Sequence, residues 1–149
     1  MKKQLYYFSF LILFLWNCNS VEQQKTDIVT SENDLDAARN FIRAALDGKY
    51  DDGKKLLVND STNFQFFAEY EKLHSKLNEE ERRQYQNSSI NIHAISSIND
   101  SLTIIIYSNS YKNNHDTLKL LKTQGQWLVD LKYLFNQDSD TLLNPSKEN

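Results

Sequence analysis

Glycine, proline and cysteine are nearly missing from this chain, which has three glycines, one proline and one cysteine in 149 residues. With only Gly48, Gly53 and Gly125, there is no glycine-rich loop to cradle a phosphate. A lone cysteine, Cys18, excludes an intramolecular disulfide and a Cys-based zinc cluster. His74, His93 and His115 are too widely spaced for a local metal motif. Neither H-E-x-x-H nor G-x-S-x-G occurs. No metal or other cofactor is therefore expected. Basic charge is also scarce: the formal net charge is −3, and no basic stripe offers itself to a nucleic acid, so none is expected as a partner.

What is present begins with a greasy N-terminus. Lys2 and Lys3 precede an apolar run from Leu5 to Trp16. That run is shorter than the ~20 residues needed to cross a bilayer and has the size of an export-signal core. It ends at Leu15-Trp16-Asn17-Cys18. After it, residues 19–32 are polar and without apolar periodicity, which suits a flexible tether.

From there the pattern is helical. Leu35, Ala38, Ile42, Ala45 and Leu46 share one stripe, with Phe41 widening it. Ser31 or Asn33 can cap its start, and Gly48 its end. A short second helix is expected from Asp51 or Asp52 to Val58, broken by Asn59, Asp60 and Ser61. A third runs from about Asn63, with Phe67, Tyr70, Leu73, His74 and Leu77 on its inward face. Asn78 followed by Glu81 has the form of a fresh capping box. After Ser89 the period becomes two, and four strands follow, separated by turns at Asn99-Asp100, Asn113-Asn114 and Gln124-Gly125. The last strand, from Gln126, is expected to place Trp127, Val129, Leu131 and Tyr133 on one face and Asp130 and Lys132 on the other. Helices first and strands last predict an α+β domain over residues 33–136, N-terminal helices packed on a curved four-stranded antiparallel meander. Residues 137–149 are expected to form a loose tail.

Two resemblances follow from these residues. Leu15-Trp16-Asn17-Cys18 resembles the signal of bacterial lipoproteins, of the looser kind found in Bacteroidetes. That resemblance implies removal of residues 1–17 as a signal peptide and lipidation of Cys18, including an N-linked acyl chain such as palmitate. Several acyl chains give stable membrane attachment. The implied location is the cell envelope, at the outer membrane, with residues 18–32 as lipidated anchor and tether. "LDGKYDDGKKLL" (Leu46 to Leu57) and "GQWLVDL" (Gly125 to Leu131) resemble the helix corner and terminal hairpin of nuclear-transport-factor-two-like, or cystatin-like, cones. Within that fold the chain resembles a lipoprotein family of undefined role. The resemblance implies a pocket between helices and sheet.

Tyr70, His74, Tyr107 and Trp127 are the candidate pocket residues. Asp130, opposite in parity to Trp127, is expected to be exposed or at a dimer face, and His74 to lie at a helix edge. Ile104 and Ile106 alternate with Ile105 and Tyr107; two apolar faces on one strand suggest cover on both sides, as a sheet-to-sheet homodimer would give. Asp followed by Ser or Thr recurs at Ser61, Ser101, Thr117 and Thr141. This resembles the O-glycosylation acceptor of exported Bacteroidetes proteins, and it is also ordinary turn and cap chemistry. Three functions remain open: a non-enzymatic domain binding a small ligand or an envelope protein, an acid–base enzyme in a small pocket, and an inhibitor or assembly factor acting through the sheet.

Overall fold

The structure, a computed structural model, describes residue 31 and residues 33–133. The expected signal, Cys18, all of the tether but Ser31, the tail and Thr141 lie outside the described residues. Among the described residues four helices precede four strands: α1 Asp34–Asp47, α2 Tyr50–Lys55, α3 Ser61–Ser75, α4 Glu79–Asn87, β1 Ile90–Asn99, β2 Leu102–Asn109, β3 Asp116–Thr123 and β4 Gln126–Asp130. The strands form an antiparallel meander in the order β1-β2-β3-β4, and the sheet does not close. The class is α+β.

The helix ends follow from local chemistry. Asn33 caps α1 by accepting the Asp36 N–H, and Gly48 ends it at φ 75, the left-handed region that favours glycine. Asn78 and Glu81 form a complete capping box on α4. The Arg43 guanidinium then ties α1 to the end of α4, donating to the Gln86 and Ser88 carbonyls at 3.0 and 2.6 Å.

The core lies between the helices and one face of the sheet. Cross-strand pairs Ile105↔Leu118 and Thr103↔Leu120, with Leu120↔Val129, put these residues on the inner face, and all five are buried. Against them pack Ala38, Phe41, Ile42, Ala45, Leu56, Leu57 and Phe67. Gly53 is part of this fit. A Cβ there would stand 2.6 Å from Phe67 Cζ, so the phenyl ring occupies the space a side chain would need.

Three boundaries differ from the sequence expectation, and each has a backbone partner as its cause. α2 stops at Lys55 because the next residues join the sheet: Val58 N–H donates to the Val129 carbonyl and Val129 N–H to the Leu56 carbonyl, at 2.9 and 2.8 Å. The expected breaker Asp60 is instead the N-cap of α3, accepting from Asn63 N–H at 2.9 Å, so α3 begins at Ser61. β4 ends at Asp130, and Leu131 and Tyr133 do not extend it. The Leu131 N–H is captured by Asn63 Oδ1 at 2.7 Å, and the Lys132 N–H by Asp130 Oδ1 at 3.3 Å. Leu73, expected inward on α3, is exposed. Asn63, Phe67, Tyr70 and His74 recur at the spacing of one face, and Leu73 falls about a quarter-turn away.

Candidate functional site: a cavity between helices and sheet

A cavity of ≈ 430 Å³ opens between α1, α3, α4 and the inner sheet face. Its apolar wall includes Phe41, Ile42 and Ala45 from α1, Phe66 and Phe67 from α3, and Leu118 from β3. Tyr70, Tyr85 and Tyr107 add aromatic rings, and Asn109, Lys112, Asn114 and Asp116 supply polar groups. This mixture of an apolar lining and a few polar groups is the usual make-up of a small-molecule site, and the volume lies at the lower end of the usual range.

Register explains why Asp116 belongs here. It pairs with Tyr107 across β2 and β3 and shares the parity of buried Leu118, so both residues belong to the inner face. Ile92 pairs with Tyr107 on the other side. Asp116 as a whole is exposed, yet desolvation pushes its carboxyl above its ordinary pKa. Burial raises the Tyr107 and Tyr70 hydroxyls as well, and the Asp116 charge adds to both shifts. Among the described residues no hydrogen bond or ion pair reaches the Asp116 carboxylate. Lys112, the other charged lining residue, lies over the Tyr111 ring with its Nζ 4.8 Å from the centroid.

The four pocket residues expected from sequence divide. Tyr70 and Tyr107 line the cavity, while His74 and Trp127 are not among its lining residues. His74 is 6% exposed rather than at a helix edge. It sits behind the cavity wall, packed on Tyr50, Tyr70 and Tyr85, with Nδ1 2.6 Å from the Tyr50 hydroxyl oxygen. Its Nε2 is buried without a hydrogen-bond partner, and desolvation, with the Arg82 charge second, lowers its pKa. Trp127 is half-buried at the far end of β4, packed against the core and under the Lys122 ammonium, 5.7 Å from the ring centroid.

Asp130 corrects an expectation. It is 4% exposed, although its parity is opposite to Trp127 as read from sequence. Lys119 Nζ stands 3.3 Å from one carboxylate oxygen and Lys132 Nζ 3.7 Å from the other. Lys132 also bonds Asp60. The two lysines compensate the buried charge, so alternation alone misjudged its exposure. Asp130, His74 and Tyr107 thus do not converge on one cavity.

Of the Asp-Ser/Thr positions, Ser61 is exposed at the first residue of α3, Ser101 is exposed in the β1–β2 turn, and Thr117 is half-buried in β3. His93 and His115 are exposed and stack at 4.1 Å between centroids. His93 also has a polar partner in Ser108, whose Oγ is 2.8 Å from its Nε2. No group of three or more His, Cys, Asp or Glu that could hold a metal ion occurs among the described residues. None of the described helices is long and apolar enough to cross a membrane. Comparison with family models, curated proteins and solved structures finds no match.

Sequence reasoning missed Asp116, Tyr85, Asn109, Lys112 and Asn114. No local signal put Asp116 there: a turn centred on Asn113-Asn114 would set it opposite Tyr111, whereas the observed Tyr107↔Asp116 pairing centres the connection on Tyr111 and Lys112. From sequence it reads as a strand start and as part of the Asp-Thr acceptor pattern.

Proposed function

We propose that this chain is an envelope-anchored lipoprotein whose cone-like domain binds a small ligand in the cavity between helices and sheet. The carrying observation is the cavity itself, ≈ 430 Å³ with an apolar wall and the polar groups of Asn109, Lys112, Asn114 and Asp116. The anchor rests on Cys18 at the end of the apolar run; two or more acyl chains hold a protein on a membrane. The ligand reading is tested by nuclear magnetic resonance of the full chain titrated with small amphipathic molecules. Binding that perturbs Tyr70, Tyr107 and Leu118 supports it; binders that perturb only residues away from the cavity contradict it. The anchor has a separate test: a Cys18→Ala chain is expected to leave the membrane fraction, and its continued membrane partitioning would refute lipid anchoring.

A second reading has its own observation. A carboxyl raised by desolvation on a cavity wall, as Asp116 is, is what an acid–base enzyme needs. It predicts turnover of a bound ligand that Asp116→Asn abolishes without weakening binding. A protein-facing role rests on β1, whose outer half carries Ile95 and Ile98 at 47% and 61% exposure. That edge could pair with a second copy, and sedimentation of the full chain in detergent reads the oligomeric state directly. Glycosylation at Ser61, Ser101, Thr117 and Thr141 remains a proposal from the acceptor pattern. An intact mass of native protein explained by the lipidated polypeptide alone would reject it.

A further inference from the structure

The cavity holds an imbalance that narrows the chemistry of its ligand. Among the described residues Asp116 is its only lining carboxylate and Lys112 its only lining ammonium, and they are not equivalent. Lys112 is engaged with the Tyr111 ring. Asp116 meets no cation among the described residues; neither do exposed acids such as Asp100 and Glu79, but those do not line the cavity, and several acids elsewhere are paired. Asp47 pairs with Arg43 and Lys49, Asp52 with Lys55, Asp60 with Lys132 and Asp130 with Lys119 and Lys132. Around Asp116 are tyrosine rings close enough for its charge to act on Tyr70, Tyr85 and Tyr107. A partly desolvated carboxylate beside aromatic faces is a receptor for a cation, since ring quadrupoles and the carboxylate attract it together.

We propose that the cavity takes an amphipathic amine, with its apolar body against Phe41, Phe66 and Leu118 and its ammonium group at Asp116 beside the Tyr70 and Tyr107 rings. This rests on the reading of the cavity as a ligand site. An anionic ligand would meet Asp116 as a like charge. A neutral one would displace water from the carboxylate without supplying a counter-charge, which costs free energy.

The test is isothermal titration calorimetry on the full chain in nanodiscs of zwitterionic lipid, with empty nanodiscs as the blank. Phenethylamine, 2-phenylethanol and 3-phenylpropionate share a ring and differ in the charge of the head. Phenethylamine is expected to bind about tenfold or more tighter than the alcohol, the effect of one charge-assisted contact. Asp116→Asn, an exposed position, is expected to bring the amine down to the alcohol. Equal binding of amine and alcohol, an amine preference that survives Asp116→Asn, or tightest binding of the carboxylate would overturn the proposal. Asn114→Trp, also exposed, places a ring at the cavity and separates the two readings. If it abolishes binding while the amine preference is missing, the cavity stands and the amine falls. If it leaves all binding unchanged, the bound site is elsewhere and both fall. Absence of binding by all three probes also overturns both.

Discussion

Asp130 and Asp116 belong to the same sheet and pair with opposite environments. Asp130 is buried at the end of β4, held by two lysines in a corner that also contains Asp60 and Asn63. Asp116 opens β3 on the cavity side and meets no cation among the described residues. In the corner every polar group has a partner: Asn63, 0% exposed, donates to Asp60 at 2.9 Å and accepts from Leu131 N–H at 2.7 Å. At the cavity Asn109 accepts from the Tyr111 and Lys112 N–H groups and Lys112 lies over the Tyr111 ring, but the Asp116 carboxylate is left to meet something else. A compensated charge serves the fold, and an uncompensated one beside a cavity is available to a ligand.

The contrast breaks most sharply at Asn63. Asn63→Ala strands the Leu131 N–H and withdraws a bond from Asp60, and is expected to cost about 2–3 kcal/mol in urea unfolding, the penalty of an unsatisfied buried donor plus a lost hydrogen bond. Asp130→Ala is expected to cost about 1–2 kcal/mol, less than the loss of a deeply buried pair because water reaches both lysines. A fall below about 0.5 kcal/mol for both, the range of an ordinary surface change, would remove the distinction between corner and cavity.

His74 sharpens the comparison through pH. Its folded pKa lies below the ordinary value of 6.5, so the unfolded chain takes up the proton first. Stability contributed by the neutral ring is full above that value and declines as pH falls through it toward the lower folded value. The unfolding midpoint is expected to drop over this window, and His74→Phe to flatten the drop. Asp60 behaves as an acid lowered by Lys132: its contribution is present above its unfolded pKa and is lost as pH falls through the lower folded one.

The smallest effect is expected at Asp116, and its sign is opposite. Its carboxyl is raised in the fold, so ionisation opposes folding at neutral pH and the penalty is relieved as pH falls through the raised value. Asp116→Asn is therefore expected to leave the thermal midpoint unchanged or slightly higher at neutral pH. A clear destabilisation would mean that Asp116 has a structural partner after all.

Much of this architecture was legible in residue spacing. The α1 stripe, Gly48, the Asn78–Glu81 box and the Gln124-Gly125 turn all act over a few residues, and local propensity decides them; the other two connections centre one and two residues away from their turn signals. Two misreadings are local, the Asp60 cap of α3 and the exposed Leu73; the others are long-range. The end of α2 depends on β4 lying alongside Leu56–Val58, the end of β4 on Asn63, 68 residues away, and the burial of Asp130 on lysines from β3 and from beyond β4. The cavity was legible only in part. Tyr70 and Tyr107 follow from amphipathic position, but Lys112 and Asn114 come from a loop whose path no periodicity encodes. Asp116 needs the β2–β3 register, which is centred two residues before the Asn113-Asn114 turn signal.

The most direct measurement is a carboxyl ¹³C titration of Asp116 and Asp60 in the same sample, with and without phenethylamine. Asp116 is expected to titrate above the ordinary 3.8 and Asp60 below it, and the amine to draw Asp116 downward while leaving Asp60 unmoved. Asp116 titrating together with Asp60, or an amine that shifts neither, would contradict the account.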